Sequence, residues 1–78
     1  MDEIKPDSVL DCEGLLCPMP VVKLKEAMKA LKPGQVIMMT ATDPGSKADI
    51  PAFARRTQNE LLKMNETNGK FEYFLRRS

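Results

Sequence analysis

The sequence predicts an α/β (α+β) two-layer sandwich in the order β-α-β-α-β-β, a four-stranded mixed sheet with two helices on one face. Three observations predict it. Short apolar runs bounded by turn residues alternate with two segments of helical periodicity. The first strand–helix–strand unit takes about 35 residues, the length of a right-handed parallel crossover. Asn68-Gly69 separates the last two β-rich runs and is the strongest hairpin signal in the chain.

Taken in order, Ser8-Val9-Leu10-Asp11-Cys12 reads as a short strand, broken by Glu13-Gly14. From Pro18 the pattern turns helical. Val21, Leu24, Met28 and Leu31 recur on one side with Val22 and Ala27 beside them, and Lys23, Lys25, Glu26, Lys29 and Lys32 fill the other. Pro33-Gly34 is the expected helix stop. The run from Gln35 to Thr42 is apolar on both faces, which predicts a central strand, with Met38 and Met39, like Met28, in the core. In the next segment Ser46 and Asp49 resemble a capping box, and Ile50, Phe53, Ala54 and Thr57 share a face. Pro51 lacks an N–H, so the expected start is irregular or lies nearer Asp49. Residues 60–67 and 70–77 complete the sheet as a hairpin.

A chain of 78 residues makes one domain, spanning 1–78 with residues 1–7 expected to be a flexible segment. Its 42% hydrophobic and 29% charged residues are those of an ordinary globular protein. A net charge of +1 provides no basic excess for general nucleic-acid binding. No apolar run reaches the roughly 18 residues of a membrane helix, and the polar N-terminus does not resemble a signal peptide, so the expectation is a cytoplasmic protein without membrane insertion. The absence of histidine excludes Cys–His dyads, Ser–His–Asp triads and His-based metal sites, and two cysteines cannot form a four-thiolate site. No cofactor or metal is expected.

Cys17 carries the chemistry that remains. It lies in Gly14-Leu15-Leu16-Cys17-Pro18-Met19-Pro20, and proline favours the first helical position, so Pro18 puts Cys17 at or next to the N-cap. There the positive end of the helix dipole favours thiolate. A free thiol with a pKa of about 8.5 is roughly 3% ionised at pH 7, and a gain of about 1 kcal/mol raises this to roughly 14%. Pro18 and Pro20 remove two of the first backbone donors, so the sulfur should be exposed, rigidly presented and sparsely hydrogen-bonded. A lone cysteine is more commonly a small buried hydrophobe; the Cys-Pro-x-Pro setting at a helix start argues for the nucleophile.

The run Asp11-Cys12-Glu13-Gly14-Leu15-Leu16-Cys17-Pro18-Met19-Pro20 resembles the D-x-x-G-L-x-C-P-x-P motif of the TusA/SirA-like sulfur-carrier proteins. The likeness continues through Lys32-Pro33-Gly34, Thr42-Asp43-Pro44-Gly45, Asp49-Ile50-Pro51, Glu60-Leu61 and Tyr73-Phe74-Leu75-Arg76, nearly the whole chain. It implies a two-layer sandwich and a sulfurtransferase whose persulfide-carrying cysteine maps onto Cys17, with Gly14, Pro18 and Pro20 shaping its loop. The implied partners are a donor protein, a cysteine desulfurase or rhodanese-like, and an acceptor in tRNA thiolation, molybdenum-cofactor synthesis or sulfur-compound metabolism. Many relatives carry a further cysteine and a Thr-Gly-His stretch on the second helix, where this chain has Ala54 and Thr57-Gln58-Asn59.

Several residues allow two readings. Cys12 is either a resolving thiol for Cys17 or a small residue packed at a strand end. Asp43 belongs at the same sheet edge as Cys17, as a docking residue or as a turn residue bonding its own backbone. Met19 is either an outward docking contact or a gap filler. Arg55-Arg56 and Arg76-Arg77 read as solvated surface, with contact to an acidic partner or tRNA as the alternative. The function classes in contention are therefore a sulfur carrier, a redox protein cycling a Cys12–Cys17 disulfide, and a regulatory or RNA-binding module supported by fold analogy alone. The expected state is a monomer.

Overall fold

A computed structural model of the chain describes residues 4–78. The elements are β1 (Ser8–Cys12), α1 (Met19–Lys29), β2 (Val36–Ala41), α2 (Ser46–Thr57), β3 (Glu60–Thr67) and β4 (Lys70–Arg76), the predicted order. The strands lie β1-β2-β4-β3. β1 pairs parallel to β2, and β4 runs antiparallel between β2 and β3. Of the segment expected to be flexible, residues 1–3 lie outside the described residues. Asp7 is tied to β2: its N–H donates to the Val36 carbonyl at 2.7 Å, and its Oδ2 accepts the Val36 N–H at 2.8 Å.

One continuous core lies between sheet and helices. Cys12, Ile37, Met39, Ala41, Phe71, Tyr73 and Leu75 come from the sheet, Leu24 and Met28 from α1, and Ile50, Phe53 and Ala54 from α2. Strand alternation produces the sheet's share, since every second residue of β4 (Phe71, Tyr73, Leu75) is buried. Each fully buried aliphatic side chain here contributes about 1.5–3 kcal/mol. Met38 departs from expectation: it sits on the opposite face of β2 from Ile37 and Met39 and is only half-buried.

Helix α1 also differs in detail. Its buried stripe is Pro20, Leu24 and Met28, a pure i, i+4 row, which turns Val22 outward (44% exposed). It ends at Lys29 and not at Pro33-Gly34. The chain tightens there: the Ala30 N–H reaches the Ala27 carbonyl and the Leu31 N–H the Met28 carbonyl, both at 3.1 Å, leaving Leu31 half-buried against the core. Arg77 Nε donates to the Met28 carbonyl at 2.9 Å and satisfies one acceptor at this helix end.

Helix α2 begins without the expected capping box. Its N-cap is Gly45, with no side-chain cap. The first turn closes through short-range bonds from Ser46 to Asp43, Lys47 to Pro44 and Ala48 to Gly45, and the helix runs continuously past Pro51. Ser46 is unavailable as a cap because its side chain is buried, with Oγ 2.7 Å from the Tyr73 hydroxyl. Burial is the main cause holding the Tyr73 phenol above its ordinary pKa. In β3 a register shift between Leu61 and Lys63 interrupts the pairing with β4, a bulge that alternation in the sequence does not reveal. At the hairpin, Asn68 (φ 50°) and Gly69 (φ 79°) both take positive φ, as a two-residue turn of this hand requires.

Replacing Tyr73 by Phe strands the buried Ser46 hydroxyl. Urea unfolding of Tyr73→Phe is expected to show a loss of about 1–3 kcal/mol, and the Tyr73→Phe, Ser46→Ala double variant should lose less than the sum of the two single changes.

Candidate functional site: a thiol held between two loops and a helix

The parallel register of β1 and β2 aligns Cys12 with Ala41, so both strands end at the same sheet edge. The loops that follow them are joined by side-chain acceptors. Asp11 Oδ1 accepts the Glu13 N–H at 2.9 Å and turns the chain out of β1. Gly14 then takes φ +81°, a conformation that strains any residue carrying a Cβ, although the space around it is open. Its N–H donates to Thr42 Oγ1 at 2.9 Å. Three residues on, the Cys17 N–H donates to Asp43 Oδ2, also at 2.9 Å. Asp43 serves its own turn too, with Oδ1 3.4 Å from the Gly45 nitrogen, whose N–H it accepts. Both sequence readings of Asp43 thus place it at this edge, and the structure shows it as a backbone acceptor for the thiol loop.

Pro18 is the N-cap of α1, and Cys17 stands next to it, within the expected placement, joined through a cis peptide bond. The Met19 N–H is taken by the Leu16 carbonyl at 2.8 Å, so it is not aimed at the sulfur. Pro20 is buried and anchors the first turn of α1. Around the exposed Cys17 the chain presents apolar side chains to solvent: Leu16 is 72% and Met19 40% exposed.

The electronic state of Cys17 corrects the sequence expectation. Cys17 Sγ donates to Asp49 Oδ2 at 3.0 Å, a carboxylate partner that the helix-end expectation does not include. The pKa of Cys17 is raised, first by this hydrogen bond, then by desolvation and by the negative charges of Asp49 and Asp43. A carboxylate in contact favours the neutral thiol, and the Met19 N–H at the helix end, already taken by Leu16, does not oppose it. Asp49 lies on α2 four residues before Phe53 and seven before Arg56, and that spacing puts all three on one helix face. Together with Pro18, Val21 and Ala52 they line a cleft of about 200 Å³ beside the sulfur.

Other predicted residues fall elsewhere. Cys12 is fully buried in the core, is a free thiol, and has its pKa raised mainly by burial. Arg76 is paired with Glu60 at 3.1 Å and Arg77 is bonded to the Met28 carbonyl. Arg55 is exposed, and Arg56 faces the cleft. Asp49 and Thr42 are the site residues that sequence reasoning passed over. Thr42 and Asp49 both stand in segments of the motif likeness, and Asp49's i, i+4, i+7 relation to Phe53 and Arg56 was the available signal.

The site is thus a thiol exposed at a helix mouth, in a two-layer sandwich with strand order β1-β2-β4-β3. Residues 8–77 match the model of the family described as Sulfurtransferase TusA, and the chain belongs to that family. It is 44% identical over 72 residues to the sulfur carrier protein TusA of Allochromatium vinosum, covering 92% of this chain and 95% of that one. It is 40% identical over 77 residues to sulfur carrier protein TusA of Pseudomonas putida GB-1, covering 99% and 96%. The putative sulfur carrier protein YrkF of Bacillus subtilis is 46% identical over 74 residues, which are 95% of this chain but 40% of YrkF. The crystal structure of the SirA-like protein from Desulfitobacterium hafniense superposes with a TM-score of 0.76 at 21% identity, over 88% of this chain and 95% of that one, and confirms the fold.

Iodoacetamide applied to the folded protein is expected to label Cys17 and spare Cys12 until the chain unfolds. Peptide mass mapping after native and denaturing labelling checks this.

Proposed function

We propose that this chain is a sulfur carrier that holds one sulfur atom as a persulfide on Cys17 and passes it to an acceptor protein. The observation that carries the reading is the exposed, free Cys17, fixed at its backbone by Asp43 and framed by exposed apolar side chains. Family membership and relatives named as sulfur carriers support it.

The chemistry is exchange at sulfur. The Cys17 thiolate attacks the outer sulfur of a donor persulfide, a Cys17–sulfur bond forms, the donor's S–S bond breaks, and the donor thiolate leaves. Onward transfer repeats the step with Cys17 as leaving group. No oxidant is consumed, because a sulfane sulfur moves between thiols unchanged. A leaving group is better the lower its pKa, and an attacking thiol is more nucleophilic the higher its pKa, so a carrier gains from neither extreme. The fixed loop contributes orientation: a sulfur held in one place loses little freedom when it meets a partner's persulfide.

Donor and acceptor are proteins whose reactive sulfur must reach an exposed loop, and Leu16 and Met19 offer the apolar contact around it. A cysteine desulfurase or rhodanese-like donor and an acceptor of a sulfur-relay pathway fit this role. Among the described residues no helix is long and apolar enough to cross a membrane. The redox alternative has less support, because Cys12 is fully buried in the core while Cys17 is exposed, and both are free thiols.

Incubated with a persulfide-bearing donor, the wild-type chain is expected to gain the mass of one sulfur atom, reversibly with reductant. Cys17→Ala should gain none and Cys12→Ser should gain it normally. Loading of Cys17→Ala at another residue would overturn the reading, and loss of loading in Cys12→Ser would favour the disulfide cycle.

A further inference from the structure

We propose that Asp49 is a positioning residue that distinguishes the empty carrier from the loaded one, holding Cys17 as a neutral thiol when empty and repelling the charged outer sulfur when loaded. The inference rests on the carrier reading above and deepens it. Its basis is geometric. Among the described residues Asp49 Oδ2 is the one side-chain acceptor on Cys17 Sγ, at 3.0 Å, and it is delivered from α2, an element separate from the loop that fixes the Cys17 backbone. The backbone and the proton of Cys17 are thus held by two different carboxylates, Asp43 and Asp49.

Among the described residues the charged groups facing the sulfur are few. α2 supplies Asp49 and, from the cleft wall, Arg56; the loop after β2 supplies Asp43; the N-cap Pro18 and Val21 of α1 add no charge. Asp43 already spends an oxygen on the Cys17 N–H, which leaves Asp49 as the group that senses the state of the sulfur. In the empty carrier the thiol is a donor and the carboxylate an acceptor, a charge-assisted pairing.

Loading reverses the sign of that contact. Near neutral pH the exchange is Cys17–SH + R–S–S⁻ → Cys17–S–S⁻ + R–SH. The donor's S–S bond breaks, a new S–S bond forms at Cys17, and the thiol proton leaves on the donor's sulfur. Cys17 Sγ then has no proton to donate, and a negative sulfur stands beside a negative carboxylate. In a partly desolvated cleft this repulsion is stronger than in bulk water. Asp49 therefore weakens the carrier's hold on its cargo and turns the outer sulfur away from α2, toward solvent and an arriving acceptor. It also keeps the empty thiol from reacting with adventitious electrophiles and oxidants, since the thiolate is the reactive form.

The test compares the wild-type chain with Asp49→Asn, which keeps size and removes charge, and Asp49→Ala, which offers no hydrogen bond; thermal melts verify that each is folded. The first readout is the pH profile of Cys17 alkylation by iodoacetamide. Both variants should show a lower midpoint. Each tenfold gain in thiolate should appear as about a threefold gain in rate at neutral pH, because nucleophilicity falls as the pKa falls. The second readout is the equilibrium between carrier and glutathione persulfide, where both variants should hold several-fold more sulfur than wild type. A midpoint unchanged or raised in both variants, or an unchanged sulfur equilibrium, overturns the proposal. If the wild-type chain takes up no sulfur at all, the carrier reading fails instead, and the alkylation profile alone decides whether Asp49 holds the thiol.

Discussion

The parallel pairing of β1 with β2 is the constraint on which the site depends. With Cys12 opposite Ala41, the two strands release their loops side by side, and the next residues of each find partners in the other: Gly14 with Thr42, Cys17 with Asp43. A slip of one residue would send the side chains of β1 to the wrong face, burying Asp11 and exposing Cys12. Such a slip is prevented from both ends. Asp7 is bonded twice to Val36 at one end, and Asp11 reaches Thr40 Oγ1 at 3.3 Å near the other. The same register thus builds the core and places the thiol.

The second helix has two tasks. Ile50, Phe53 and Ala54 close the core, and Ser46 is drawn inward to the Tyr73 hydroxyl. Asp49 and Arg56 face the cleft beside the sulfur, with Phe53 at the border between cleft and core. Because the buried Ser46–Tyr73 bond ties the start of α2 to the middle of the sheet, Asp49 comes to Cys17 from a fixed support. The thiol lies between a sheet edge and a helix that share one core, and neither can move far without disturbing packed side chains.

The architecture was legible in the sequence because each element obeyed a local rule. Asn68-Gly69 dictated the hairpin, the doubly apolar run of residues 35–42 its central strand, and the change of period after Pro18 its helix. The exposure of Cys17 was legible for the same kind of reason. What escaped was long-range. The charge state of Cys17 was misjudged because Asp49 lies 32 residues away in sequence, and local reasoning saw only the helix end. The capping box failed similarly: Ser46 has a cap's identity, but the competing partner, Tyr73, sits on the last strand. Met38 is only half-buried, and Val22 beside the apolar stripe is exposed, because a periodic pattern shows that a side is apolar but not how deeply each position lies under its neighbours. The bulge in β3 leaves no mark in composition at all.

Asp43 divides its carboxylate between the Cys17 loop and the entrance of α2, and this bears on how portable the thiol motif is. The stretch from Gly14 to Pro20 looks like a self-contained cassette, yet its side-chain acceptors, Thr42, Asp43 and Asp49, all belong to other segments. Grafted onto the start of an unrelated helix, it would carry its prolines and its sulfur but neither its orientation nor its proton partner. The unit that could be transplanted is the whole crossover with the first turn of the following helix, and in a chain of this size that is half the protein.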